Sequence, residues 1–350
     1  MKKSIVLAGL LTMTALLTSQ QIKPVRDDVG FCWDRAQMHR LIQYLKSHQT
    51  EAFDHRNLVA GISPHDDYLY AGQIYFPLFN LIHAKEVVIF GVTHAAVRQE
   101  IGDPQNTLIM DEYPAWPGLG RSIEVSPLRN ILKTGLDERV RLISNRAHEL
   151  EHSIEALLPF LQYFNPEIKI IPIMVSPMNW ETMEQISGRL AAIIATYIRD
   201  RRMAPGKDIF FLISADANHY GADFKNTPFG EGKDAHRAGI EQDQRVVREY
   251  LCGPVSPAKL AGLTRELWGT TYRDYRNTYW CGKYDIPFGL LTIEKTVTLA
   301  WGRQLKGKLF RYSDTYSEGV IPLKKAGFGI TAPFSLKHWV GFFSIGYFLD

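Results

Sequence analysis

At 350 residues, with 45% apolar and 22% charged residues, the chain has an ordinary globular composition and length enough to bury a sizeable core. Lys and Arg number 40 against 37 Asp and Glu, a formal charge of +3 that gives no ground for nucleic-acid or anionic-membrane binding.

Lys2 and Lys3 precede an apolar run from Ile5 to Leu17, followed by the polar Thr18-Ser19-Gln20-Gln21. A basic start and an apolar stretch shorter than the ~20 residues of a membrane span read as a secretory signal over residues 1–20. The cleavage site falls near Ser19 or Gln20, and the mature chain, with no membrane span, is expected in the periplasm or outside the cell. A buried amino-terminal helix is the other reading. Three cysteines, Cys32, Cys252 and Cys281, allow at most one internal disulfide and leave at least one free thiol.

Trp33 to Ser47 carries a helical pattern. Strand-like runs follow at Leu58–Ser63, Val87–Val92, Thr107–Met110, Ile168–Val175 and Ile209–Ser214, too apolar to alternate, as expected of strands covered on both faces. Helical patterns lie at Tyr75–Ile82, Pro127–Thr134, Ser153–Phe164, Trp180–Asp200, Asp234–Leu251 and Ile286–Trp301. Pro228 to Gly232 is a glycine-punctuated loop that suits a lid or rim. From Lys308 onward, alternating residues predict antiparallel edge strands. The alternation of strands and helices predicts a single α/β domain over residues 25–350, a central mostly parallel sheet with helices on both faces.

Three apolar runs end on a histidine: LVAGIS-P-His65, VVIFGVT-His94 and IFFLISADAN-His219. Parallel sheets gather chemistry beyond the carboxyl ends of their strands, so three imidazoles on one rim can bind a metal, move protons, or both. Asp66 and Asp67 beside His65 can hold its second ring nitrogen or a cation, or simply form a polar surface turn. Asp216, three residues before His219, either orients that imidazole as a general base or caps a turn. In Glu151-His152-Ser153, Glu151 or Ser153 is a candidate helix cap, and the positive helix end would keep His152 neutral and able to donate a hydrogen bond. Cys281, next to Gly282 and Lys283 before a helix, has the setting of a low-pKa thiol, although buried inert cysteines are commoner.

These segments resemble the Memo family, which includes the bacterial AmmeMemoRadiSam system protein B and is related in fold to the class III extradiol dioxygenases. Pro64 to Gly72 is similar to P-H-A-G-Y-x-Y-x-G, and Gly91-Val92-Thr93-His94 to G-P-S-H. Glu151 to Pro159 is similar to E-H-S-I-E-x-x-L-P, Ser214 to Gly221 to S-S-D-x-x-H-x-G, and Cys281-Gly282 with Ile286 to Gly289 to C-G-x-x-P-I-G. The resemblance implies a metal site of His65, His94 and Cys281, with Asp216 and His219 beside it and His219 as general base. Asp66 and Asp67 depart from the family's Ala-Gly, Ala95 stands where many relatives have a second histidine, and the spacing after Cys281 is longer by a residue. The Ser-His-Ala-Gly of the family's amino-terminal motif is absent, with Val29 to Trp33 in that region.

Two imidazoles and a thiolate leave metal positions open, as catalytic centres require. Iron(II) is the dioxygenase-like choice, and the thiolate also suits copper(I) or zinc. The leading expectation is metal-dependent redox chemistry on a small substrate, with His219 moving a proton and His152 stabilising charge. A non-catalytic binder of a metal or peptide, with Tyr68, Tyr70, Trp116, Tyr220 and Trp280 lining a groove, is the second. Zinc-dependent hydrolysis with water activated by His219 and Asp216 is the third.

Overall fold

The computed structural model describes residues 21–269, 271–273 and 280–350, so the expected signal segment lies outside the described residues. In chain order the elements are α1 (Arg35–His48), β1 (Leu58–Ser63), α2 (Tyr68–Phe79), β2 (Glu86–Val92), α3 (Ala95–Glu100), β3 (Leu108–Met110), β4 (Ala115–Trp116), β5 (Ile123–Val125), α4 (Leu128–Gly135), β6 (Arg141–Ile143) and α5 (Asn145–Leu150). There follow α6 (Leu158–Phe164), β7 (Lys169–Val175), α7 (Trp180–Arg201), β8 (Ile209–Ser214), β9 (His219–Gly221), α8 (Lys233–Val246), β10 (Gly253–Pro254), α9 (Pro257–Trp268), α10 (Asp285–Trp301), β11 (Leu305–Asp314), α11 (Thr315–Glu318) and β12 (His338–Leu349).

One sheet organises the α/β domain, in the order β10-β11-β12-β1-β8-β2-β7-β3-β6. Its centre, β1-β8-β2-β7, is parallel. The apolar runs bury alternate residues in two different cores. Val88, Phe90, Phe211 and Ile213 face the side of α7 and α10, while Val87, Ile89, Phe210 and Leu212 face the side of α1, α2 and α6. Burial on both faces is why these strands show no polar alternation.

The sheet is mixed rather than mostly parallel. β3 runs antiparallel to β7, and β11 and β12 form an antiparallel pair. These last two were expected at an edge, yet β12 lies inside the sheet, hydrogen-bonded to β11 on one side and antiparallel to β1 on the other. Residue alternation reports a strand's two faces and says nothing of its two edges. α2 begins seven residues before the expected Tyr75. Eleven of its twelve residues are buried, so no amphipathic period marks its start. The pattern over Ser153–Phe164 is divided between a 3-10 turn at Glu155–Leu157 and α6. Among the described residues no helix is long and apolar enough to cross a membrane.

Candidate metal centre

Strand register builds the site. Ser63, Ser214 and Gly91, near the carboxyl ends of β1, β8 and β2, lie side by side. His65, Asp216 and His94 follow two or three residues later and converge above that line. His152 joins them, and ring centroids lie 5.2 Å apart for His65–His94, 5.5 Å for His65–His152 and 4.9 Å for His94–His152. Close approach of two other segments requires glycine. A Cβ on Gly91 would meet Ile154 Cγ1 at 2.5 Å, and one on Gly282 would meet Ala215 Cβ at 2.4 Å. The second contact, with the Asn218–Trp280 bridge, brings Cys281 Sγ to 3.6 Å from His65 Nε2. One ligand atom each from His65, His94 and Cys281 fall within 4.8 Å of one another.

Hydrogen bonds orient both imidazoles. The Ser214 hydroxyl donates to the Ser153 carbonyl at 2.5 Å, so its oxygen accepts from His65 Nδ1–H at 3.1 Å. Glu151 accepts from His94 Nδ1–H at 2.8 Å and also from the backbone amides of His94, His152 and Ser153. In both rings the Nε2 lone pair is left to face the centre, the arrangement by which proteins present a metal-ligating histidine. Ser214 and Glu151 stand inside the quoted motifs, yet nothing local to them signals these roles. Glu151 follows α5 as its carboxyl-terminal cap and does not open a helix. Its carboxylate is 57 residues from its histidine partner, a pairing visible only in three dimensions.

Charge at the centre is unbalanced. Burial pushes His65 down to about 3, against the pull of Asp216, so its imidazole is neutral. Burial also works against charge on Asp216, but His65, His219 and the His65 amide hold the carboxyl down to about 2. The His65 Nε2 lone pair therefore faces Asp216 Oδ2 across 3.3 Å, acceptor against acceptor. His219 Nε2 lies 3.8 Å from the same carboxylate, beyond hydrogen-bond length, and is buried with no partner. Burial pulls His94 down, yet Glu151 outweighs it and leaves His94 raised. His152 is lowered as expected of a neutral imidazole, but through burial and the neighbouring His94 rather than a helix end. Burial and the crowding of Asp216 and Asp67 push Asp66 well up, and burial takes Asp67 up to about 6.

The low-pKa setting expected for Cys281 is not what the fold provides. The thiol is buried among carboxylates, and burial, Asp216 and Asp285 push it well above its usual value. Without a cation it keeps its proton, and a metal ion would displace that proton. Two lone pairs aimed at one point, a thiol and an acceptor-acceptor contact together fit a metal ion bound by His65, His94 and Cys281. Asp216 and His219 stand beside that point, and His152 stacks on His94.

Two cavities flank the centre. One of about 790 Å³ is faced by His65, Asp216 and His152, and one of about 500 Å³ by Cys281 and Asp285. His94 and His219 border both. Tyr70 lines the larger and Trp280 the smaller, whereas Tyr68, Trp116 and Tyr220 are packed in the interior. The loop at 228–232 is tied back through Tyr220 and lines neither cavity. All three cysteines are free thiols.

The architecture and site define a class: α/β proteins with a histidine and cysteine cluster at the carboxyl rim of parallel strands. The Memo-like protein family model matches residues 33–315, and the chain belongs to that family. It is 26% identical over 206 residues to a MEMO1 family protein of Pyrococcus abyssi, covering 56% of this chain and 65% of the relative. A MEMO1 family protein of Thermococcus kodakarensis is 30% identical over 209 residues, with the same coverage. One from Pyrococcus furiosus is 28% identical over 228 residues, covering 62% of this chain and 72% of the relative. The chain thus spans just under two thirds of the first two of these relatives.

Proposed function

We propose that this is an exported Memo-family protein that holds one metal ion on His65, His94 and Cys281 and carries out metal-dependent redox chemistry on a small organic molecule. The observation that carries the reading is the convergence of two oriented Nε2 lone pairs and one thiol on a point that also faces Asp216. Iron(II) is the favoured ion, with copper or zinc as alternatives for this donor set. When bound, such an ion supplies open coordination positions and redox reach.

The chain's own residues do the rest. Ser214 and Glu151 fix the ring tautomers. His219, with Nε2 buried and free of hydrogen bonds, accepts a proton from a molecule in the larger cavity, and Asp216 stabilises the resulting imidazolium. Neutral His152 donates a hydrogen bond to an oxygen that gains charge, and its stack on His94 fixes its plane. Metal analysis of anaerobically purified protein is expected to give one ion per chain, with near-complete loss in Cys281→Ala. Full metal retention in that variant would refute the three-residue site. Amino-terminal sequencing of protein from the culture medium or periplasm tests export, with a start near residue 20 expected.

A further inference from the structure

We infer that the larger cavity takes a cationic small molecule, a primary amine or guanidinium carried on an aromatic or apolar body. This names the substrate class of the proposed centre and rests on that reading. Chain segments far apart in sequence bring Asp27, Asp28, Asp66, Asp67 and Asp216 to the cavity wall, and among the described residues Arg26 is the single Lys or Arg there. The chain as a whole has the opposite balance, +3. The cavity's acidity is therefore local.

A bound metal does not remove that excess. A divalent ion held by the Cys281 thiolate and faced by Asp216 is neutralised by those two groups. Asp27 and Asp28 then remain on the wall, beside the carboxyl groups of Asp66 and Asp67, against the guanidinium of Arg26, which turns its Nε to the Leu150 carbonyl. Asp27 and Asp67 have structural work. Asp27 accepts from the Val29 and Gly30 amides, and Asp67 from the Thr331 amide and hydroxyl. Asp66 and Asp28 do not. Asp66 receives the Asp67 amide on Oδ1 at 2.6 Å, and its second oxygen has no hydrogen bond. Asp28 is exposed on the wall.

The other lining points independently to a ligand. Tyr70, Phe334, Phe31 and Phe224 present rings to the same space, and Val29 and Ile330 stay 48% and 36% exposed at its wall. Large apolar side chains left in water around a concavity mark a binding surface, and ring faces attract an ammonium or guanidinium group. The volume of about 790 Å³ falls within the range of sites for small organic ligands. His219, whose Nε2 is buried without a hydrogen-bond partner, also lines this cavity. Carboxylates, rings and metal centre thus surround one molecule: cationic head towards Asp66 and Asp28, body along the rings.

Calorimetric titration of the mature chain, metal-bound and metal-free, with 2-phenylethylamine, 2-phenylethanol and 3-phenylpropionate tests this, the metal-free arm separating cation preference from direct ligation of the metal. With metal bound, the ammonium compound is expected to bind at least about tenfold more tightly than the alcohol, and the carboxylate most weakly, with the preference shrinking in high salt. Asp66→Asn should reduce the preference several-fold, and Asp28→Lys, at an exposed position, should do so with no risk to folding. Equal affinities, preference for the carboxylate, no binding of any probe, or a preference unchanged in Asp28→Lys and in folded Asp66→Asn would overturn the inference. Metal content is read separately on the same samples, so loss of the metal reading and loss of the cation preference appear as different results.

Discussion

Glu155 and Asp216 are carboxylates buried to nearly the same degree, 0% and 2% exposed, yet their surroundings are opposite. Glu155 is met only by donors: the ammonium of Lys23, itself buried, and the amides of Arg26 and Asp27. Asp216 receives the His65 amide but turns its other oxygen to a lone pair of His65 and to a partnerless His219 nitrogen. The first cluster is satisfied as it stands and pins the segment before α1 against the 3-10 turn. The second is satisfied only when something positive arrives. Buried polar groups are normally paired, so an unmet set is where a ligand belongs.

The largest effect should come from breaking the satisfied cluster. Glu155→Ala leaves a buried ammonium and two amides without their acceptor, and is expected to cost about 3–5 kcal/mol in urea unfolding. Lys23→Met leaves the amides bonded to Glu155 and should cost less. If the two substitutions were equally mild, the latch would be ornamental and the contrast with Asp216 would fail.

Asp216→Asn should behave in the reverse sense. The amide nitrogen can donate to His65 Nε2, replacing an acceptor-acceptor contact with a hydrogen bond, so the metal-free protein is expected to gain about 1 kcal/mol. The same change removes a negative charge facing the metal, so metal retention under chelator challenge should fall. Stability and metal retention moving in the same direction would break the comparison.

Much of this was legible in the sequence, for identifiable reasons. Strands such as Leu58–Ser63 and Ile209–Ser214 appear at their expected bounds because complete burial leaves an uninterrupted apolar run. His65 and His94 were found because a strand's end fixes where the next residues project. What stayed hidden depended on partners distant in the chain. Glu151 reads locally as a helix-start cap because its partner His94 lies 57 residues away, across three helices and four strands. Beside Lys283, Cys281 reads locally as a low-pKa thiol, whereas burial and Asp216, 65 residues away, push it up. Local sequence reports local charge, and a buried group answers to its three-dimensional neighbours.

Asp243 sharpens the comparison from a third position, between satisfied and unmet. It is buried and accepts from the Trp280 indole and the Tyr312 hydroxyl, both at 2.8 Å, and from the Asn218 amide at 3.4 Å. Burial nonetheless outweighs these donors, and with Asp314 nearby it takes the carboxyl up to about 7. The folded state thus holds a proton that the unfolded chain releases near pH 4. That contribution to stability is fully present below about pH 4 and is lost as pH rises through about 7. Between those limits the group should lower stability by about 1 kcal/mol for each pH unit, and add no further slope above pH 8. In Asp243→Asn this component should vanish from urea unfolding measured from pH 5 to 8. A slope left unchanged by the substitution would assign it to another buried group and overturn this reading of Asp243.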